Sequence, residues 1–101
     1  MVVLEFSMFP FDKGDSVSPY VARILQIVES SGLDYHFHAM GTILEGDYDQ
    51  VMGVIGRCFQ ALAADCNRVE CSLALDYRKD RRNRLQGKVE SVEQKLGHKL
   101  K

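Results

Sequence analysis

"HFHAMGTILEGD", residues 36–47, decides the fold. Tyr35, Phe37 and Ala39 alternate with His36, His38 and Met40, which is the two-residue period of a strand. Gly41 is expected at a turn, and β-branched Thr42 and Ile43 open a second strand over residues 42–45, so the stretch reads as a β-hairpin. A helix follows at once. Asp47 and Gln50 have the spacing of a capping box, and Val51, Val54, Ile55, Cys58 and Leu62 form an inward stripe that runs to about Asp65.

Working outward, residues 2–9 also alternate, with Val2, Leu4, Phe6 and Met8 on one face and Val3, Glu5, Ser7 and Phe9 on the other, until Pro10 ends the strand. A polar loop leads to Ser18-Pro19, an expected N-cap with proline at the first helical position. Val21, Ile24, Leu25 and Val28 then mark one helical face, which Gly32 stops. On the far side of the hairpin, residues 68–78 form the clearest strand, with Val69, Cys71, Leu73, Leu75 and Tyr77 opposite Glu70, Ser72, Ala74 and Asp76. Leu85, Val89, Val92 and Leu96 step by 4, 3 and 4, a narrow apolar seam on a helix over about residues 85–97.

The order is β-α-β-β-α-β followed by one more helix. This is the α+β, ferredoxin-like plan, an antiparallel sheet with two helices on one face, in a single domain of residues 1–101. A chain of 101 residues has room for one such core and no second one. The second face of the sheet would carry Glu5, Ser7, Glu70 and Ser72, with His36 and His38 as further candidates. Water, the third helix or another subunit must cover it. A narrow seam on that helix has no place in a two-layer monomer, so subunit contacts are expected.

Bulk composition narrows the function. Hydrophobic residues make up 46% and charged residues 27%, and no run approaches the ~18 apolar residues of a membrane span, so a soluble protein without membrane partners is expected. MVVLEFSMF lacks the pattern of a secretory leader and reads as the first strand, which makes a cytoplasmic location the expectation. Cys58, Cys66 and Cys71 are odd in number and lack CxxC spacing; reduced, structural thiols are expected, with Cys58 and Cys71 packing as small hydrophobes.

Charge is unevenly spread. Residues 1–77 hold 4 Lys/Arg against 11 Asp/Glu, whereas residues 78–101 hold 9 against 3. The densest part, Arg78-Lys79-Asp80-Arg81-Arg82-Asn83-Arg84, could attract phosphates. It lacks interleaved aromatics for base stacking, so a solvated linker and helix start is favoured over a nucleic-acid site.

No nucleophile elbow, glycine-rich phosphate loop, HExxH or clustered Asp/His set is present, which argues against an enzyme. His36 and His38, two apart on a strand, could project from one face as in a two-histidine metal site, yet no third ligand is placed beside them; exposed or interface histidines are expected and no metal.

The chain resembles the small thiamine-binding proteins of the MTH1187/YkoF type. The likeness runs nearly end to end and rests on Pro10 after the first strand, Ser16-Val17-Ser18 with Tyr20-Val21, Ser31-Gly32-Leu33, Met40-Gly41-Thr42 with Glu45-Gly46, Arg68-Val69, Asp76 and Arg78, and Lys88-Val89 with Ser91-Val92. It departs at Phe11-Asp12, where the family usually has Leu-Gly. The resemblance implies assembly through the sheets into homodimers and homotetramers, and binding of thiamine or its hydroxymethylpyrimidine part without catalysis and without a cofactor.

An aminopyrimidine needs a carboxylate or hydroxyl opposite its polar edge and aromatic or thioether walls against its faces. Glu45, Ser7 and Thr42 can supply the former; Met40, Phe9 and Tyr20 the latter. Glu45 could equally face a thiazolium cation or simply open helix 2, where a carboxylate favours the helix dipole. The candidate ligand-binding set is Ser7, Ser18, Tyr20, Met40, Gly41, Thr42 and Glu45, in which Gly41 and Thr42 stand as site residues on the resemblance alone. Ser18 is first a helix cap and Gly41-Thr42 first a hairpin. Two other readings remain: a structural or regulatory homo-oligomer without a ligand, and an RNA-associated protein using residues 78–84, which lacks the aromatic-rich central strand of an RRM.

Overall fold

Alternating apolar residues build the centre of the sheet. The computed structural model describes residues 1–80 and 84–100, so the middle of the basic stretch weighed above for RNA lies outside the described residues. β1 (Val2–Pro10) buries Val2, Leu4, Phe6 and Met8 against α1 (Ser18–Ser30) and α2 (Tyr48–Ala63). β2 (Asp34–His38), β3 (Gly41–Gly46) and β4 (Val69–Tyr77) complete a sheet of order β2-β3-β1-β4 in which all neighbours are antiparallel. Each β-α-β unit leaves a gap that the other unit's first strand fills, so β1 and β3 lie at the centre. A third helix, α3 (Arg84–Leu96), carries the ferredoxin-like order beyond its simple two-layer form.

The hairpin is shifted by one residue from its expected place. Ala39 and Met40 form the turn, and Gly41 is the first residue of β3, paired with His38. Its need for glycine is steric, because a Cβ there would stand 2.6 Å from the Phe6 carbonyl oxygen. The start of α1 also differs. Val17, not Ser18, is the N-cap, and no side chain caps the helix. The Val17 carbonyl accepts the Tyr20 and Val21 amides at 3.0 Å, while Pro19 has no N–H to offer a capping hydroxyl. At α2 the expected box is present, with Gln50 Oε1 accepting the Asp47 N–H at 3.2 Å.

Two helices cover only the middle of the sheet. Val54, Cys58 and Leu62 of α2 and Ile24 and Val28 of α1 meet Leu4 and Leu44 in the core. The edges are left bare. Cys71, expected to pack inward, is exposed, as are Leu73, Leu75 and Tyr77 on the same face of β4, and Tyr35 and Phe37 on β2. Arg23 ties the helices together: its guanidinium donates to the Ala61 carbonyl and to both oxygens of Asp65, holding the Asp65 carboxyl below the usual range. Phe11-Asp12 locks the start of β4. Asp12 accepts the Asn67 and Arg68 amides at 2.6 and 3.4 Å, and the Arg68 guanidinium lies 4.9 Å from the Phe11 ring centre.

Gly41→Ala is expected to lower unfolding stability by ~1–3 kcal/mol, the usual cost of overpacking. Gly56→Ala on α2, where a Cβ meets open space, should raise it by ~0.5–1 kcal/mol. Urea titration of both variants checks the contrast.

Candidate functional site

The site grows from one carboxylate. Strand alternation puts Leu44 into the core and turns Glu45 to the opposite face, yet Glu45 is only 3% exposed. A buried carboxylate needs hydrogen-bond donors, and α3 supplies them. The Arg84 backbone N–H donates to Glu45 Oε2 at 2.7 Å, and that of Leu85 to Oε1 at 3.4 Å. Glu45 therefore acts at the start of α3 rather than α2, although α3 lies some forty residues further along the chain. The negative charge also suits the positive end of the α3 dipole, whose first turn carries no acidic residue of its own. Arg84 adds a second tether by pairing its guanidinium with the Asp76 carboxylate.

Pinned in this way, α3 stands over the face that α1 and α2 leave open, and none of its residues is buried. Two concavities flank its first turn. The smaller, about 130 Å³, is lined by Asp34, Tyr35, Glu45, Leu85 and Gln86. Asp34 lies directly opposite Glu45 in the β2–β3 register, so two carboxyl groups face one small space beside a leucine and an amide. The larger is a groove of about 820 Å³ between α3 and the sheet, with Val3, Ile43 and Ala74 on its floor and Lys88, Ser91 and Lys95 among its α3 residues.

Of the seven residues proposed from sequence, only Glu45 lines either concavity. Ser7 shares its face but lies four residues along β1 from Val3, the partner of Glu45, or about 13 Å away. Ser7 instead neighbours Gly41, near the turn. Thr42 pairs with Phe6 and is buried on the helix-covered side. Ser18 and Tyr20 belong to the helix layer, where Tyr20 packs on the core and its ring lies beneath Arg23. Met40, 81% exposed at the turn, touches neither concavity. Asp34, Tyr35, Leu85 and Gln86 were absent from the sequence-derived set. Nothing local marks them, since only strand register and the docking of α3 bring them to Glu45.

His36 and His38 do share the open face. His38 Nε2 lies 3.2 Å from Glu5 Oε2, and its Nδ1 accepts the Met40 N–H at 3.2 Å. Among the described residues no three His, Cys, Asp or Glu side chains form a cluster able to hold a metal ion. Burial pushes the Cys58 thiol up to about 11 and also raises Cys66 and Cys71, the opposite of what an activated nucleophile requires. No helix among the described residues is long and apolar enough to cross a membrane.

A family model described as thiamine-binding protein matches residues 4–93. The chain belongs to this family. A UPF0045 protein of Methanocaldococcus jannaschii is 36% identical over 91 residues, which are 90% of this chain and 91% of that one. Its crystal structure superposes with a TM-score of 0.83, covering 90% of this chain and 94% of that chain. A domain of unknown function from Bacillus cereus, 32% identical, gives a TM-score of 0.77 over 87% and 86% of the two chains. A Thermotoga maritima protein, provisionally assigned to thiamine biosynthesis or salvage, shares the fold at 19% identity with a TM-score of 0.79, covering 90% of this chain and 97% of that one.

Glu45→Ala is expected to fray the first turn of α3 at a cost of about 0.5–2 kcal/mol, as loss of a helix cap does. Hydrogen exchange should accelerate at the Arg84 and Leu85 amides. Unchanged protection there would show that Glu45 does not hold the helix.

Proposed function

We propose that this protein is a non-catalytic small-molecule binding protein whose ligand is thiamine or its hydroxymethylpyrimidine moiety, held at Glu45. The carrying observation is the buried Glu45 carboxylate in the wall of a small concavity. A carboxylate offers about four acceptor positions. The Arg84 and Leu85 amides occupy two. The remaining ones suit an exocyclic amino group or a cationic ring, while Leu85 provides an apolar wall and Gln86 an amide able to donate and accept.

Size supports the pyrimidine end. Pockets for drug-sized ligands span ~300–1,000 Å³, so a space of about 130 Å³ admits one ring and leaves the rest of thiamine outside. Membership of the thiamine-binding protein family supports the same ligand class. Ser7, Ser18, Tyr20, Met40 and Gly41 enter this reading as contacts that a neighbouring subunit would have to bring to a ligand, whereas Thr42, buried on the helix-covered side, does not.

Assembly into homodimers and homotetramers is part of the proposal. Leu73, Leu75 and Tyr77 on the helix-side face of the β4 edge, and Val89, Val92 and Leu96 on α3 across the sheet, leave two apolar surfaces for further copies to cover. Sedimentation at micromolar concentration should give a species larger than the 11.4 kDa chain; a monodisperse monomer would remove assembly from the reading.

Calorimetry should detect heat on titrating thiamine or hydroxymethylpyrimidine, and Glu45→Ala should weaken binding by roughly 10-fold or more, the loss of a charged hydrogen-bond partner. Absence of both heat and thermal shift at millimolar ligand would reject the function and favour a structural oligomer without a ligand.

A further inference from the structure

α3 presents two faces a quarter-turn apart. Arg84, Lys88, Ser91 and Lys95 recur at i, i+4, i+7 and i+11 and line the groove, whereas the apolar seam of Leu85, Val89, Val92 and Leu96 is rotated by about 90°. The groove is thus cationic along one wall, and Arg78 at the end of β4 adds a further charge. Its acids are Glu5 and Asp76 alone. Asp76 is taken by Arg84, and Glu5 faces His38. Among the described residues, no ion pair or hydrogen bond engages the side chains of Arg78, Lys88 or Lys95.

This arrangement costs the protein something. Like charges at i, i+4 destabilise a helix, and cations near its N-terminus oppose the dipole. An anion in the groove would reverse both penalties. Apolar Val3, Ile43, Ala74 and Val92 line the same groove, where a partly desolvated charge pair is stronger than on an open surface. The first turn of α3 separates the groove from the ring-sized concavity, with Arg84 on one side and Leu85 and Gln86 on the other.

We propose that the groove is an anion subsite taking the phosphate or diphosphate tail of a phosphorylated ligand whose heteroaromatic ring sits at Glu45, so that the protein prefers thiamine phosphate esters to free thiamine. This rests on the function proposed above and adds the substrate class. One end of the site offers carboxylates to an amino-substituted or cationic ring. The other offers three uncompensated cations. A molecule with an amino-substituted ring at one end and an anionic tail at the other matches both, and free thiamine matches only the first.

Calorimetric titration with thiamine, thiamine monophosphate, thiamine diphosphate, inorganic pyrophosphate and a single-stranded RNA oligonucleotide tests the inference. Thiamine diphosphate is expected to bind about 10-fold more tightly than thiamine at low salt, a difference of about 1.4 kcal/mol, and the gap should narrow as salt rises. Pyrophosphate should compete with the diphosphate. In an Arg78→Gln, Lys88→Gln, Lys95→Gln triple variant, all three positions being exposed, the ratio of the two affinities should fall to about one. If thiamine binds and its diphosphate binds no better, or if the preference survives in the triple variant, the anion subsite is overturned while the proposed function stands. If no form of thiamine binds, both fall. Displacement of the diphosphate by RNA would assign the groove to nucleic acid and overturn the inference.

Discussion

The Glu45 carboxylate, donated to by the first two amides of α3, is the interaction on which the functional half of this molecule depends. Without it α3 would keep, among the described residues, the Arg84 guanidinium's contacts with the Asp76 carboxylate and carbonyl, of which the ion pair is of a kind worth little in water. A charge buried against a helix N-terminus is different in kind, since its hydrogen bonds offset the cost of desolvating it and the helix dipole adds to them. Because Glu45 sits on the central strand β3, opposite Val3 of β1, the position of α3 is set from the middle of the sheet. Both concavities then follow as the spaces left on either side of the capped turn.

The same geometry explains why the protein exposes so much apolar surface. Helices α1 and α2 fill the space above β1 and β3, and the Arg23–Asp65 contact holds them together there. Neither helix covers Leu73, Leu75 or Tyr77, although Val69 at the start of β4 packs on the core. β4 is as long as β1 but has a neighbour on one side only, so Leu73, Leu75 and Tyr77 follow an inward-facing pattern with nothing above them. Edge strands of this length and hydrophobicity are normally paired or covered, which is the physical basis for expecting a second copy. The cationic groove lies about a quarter-turn from the centre of the α3 seam, and Val92 borders both.

The loop after β1 lies away from Glu45. Asp12 and Phe11 fasten the β1–α1 loop to Asn67 and Arg68 at the beginning of β4, and the backbone amides donated to Asp12 hold its carboxyl below the ordinary range. They secure the end of the sheet opposite Glu45. The Asp12 carboxylate therefore anchors β4 at the end of the sheet far from α3.

Hydrophobic period alone determined the element order, the core of β1, α1 and α2, and the polar second face with His36 and His38, because a strand or helix with one buried side writes that side directly into local spacing. It could place Glu45 on a strand but not assign its partners. The donors come from α3, about forty residues away, and a backbone amide leaves no mark in the identity of the residue that carries it. Burial of β4 was misjudged for a related reason: alternation reports which way side chains point and says nothing of whether a helix extends far enough to cover them. The turn position, the cap of α1, the concavities beside Glu45 and the cationic groove were decided by tertiary structure, since each depends on how far apart separately folded elements come to rest.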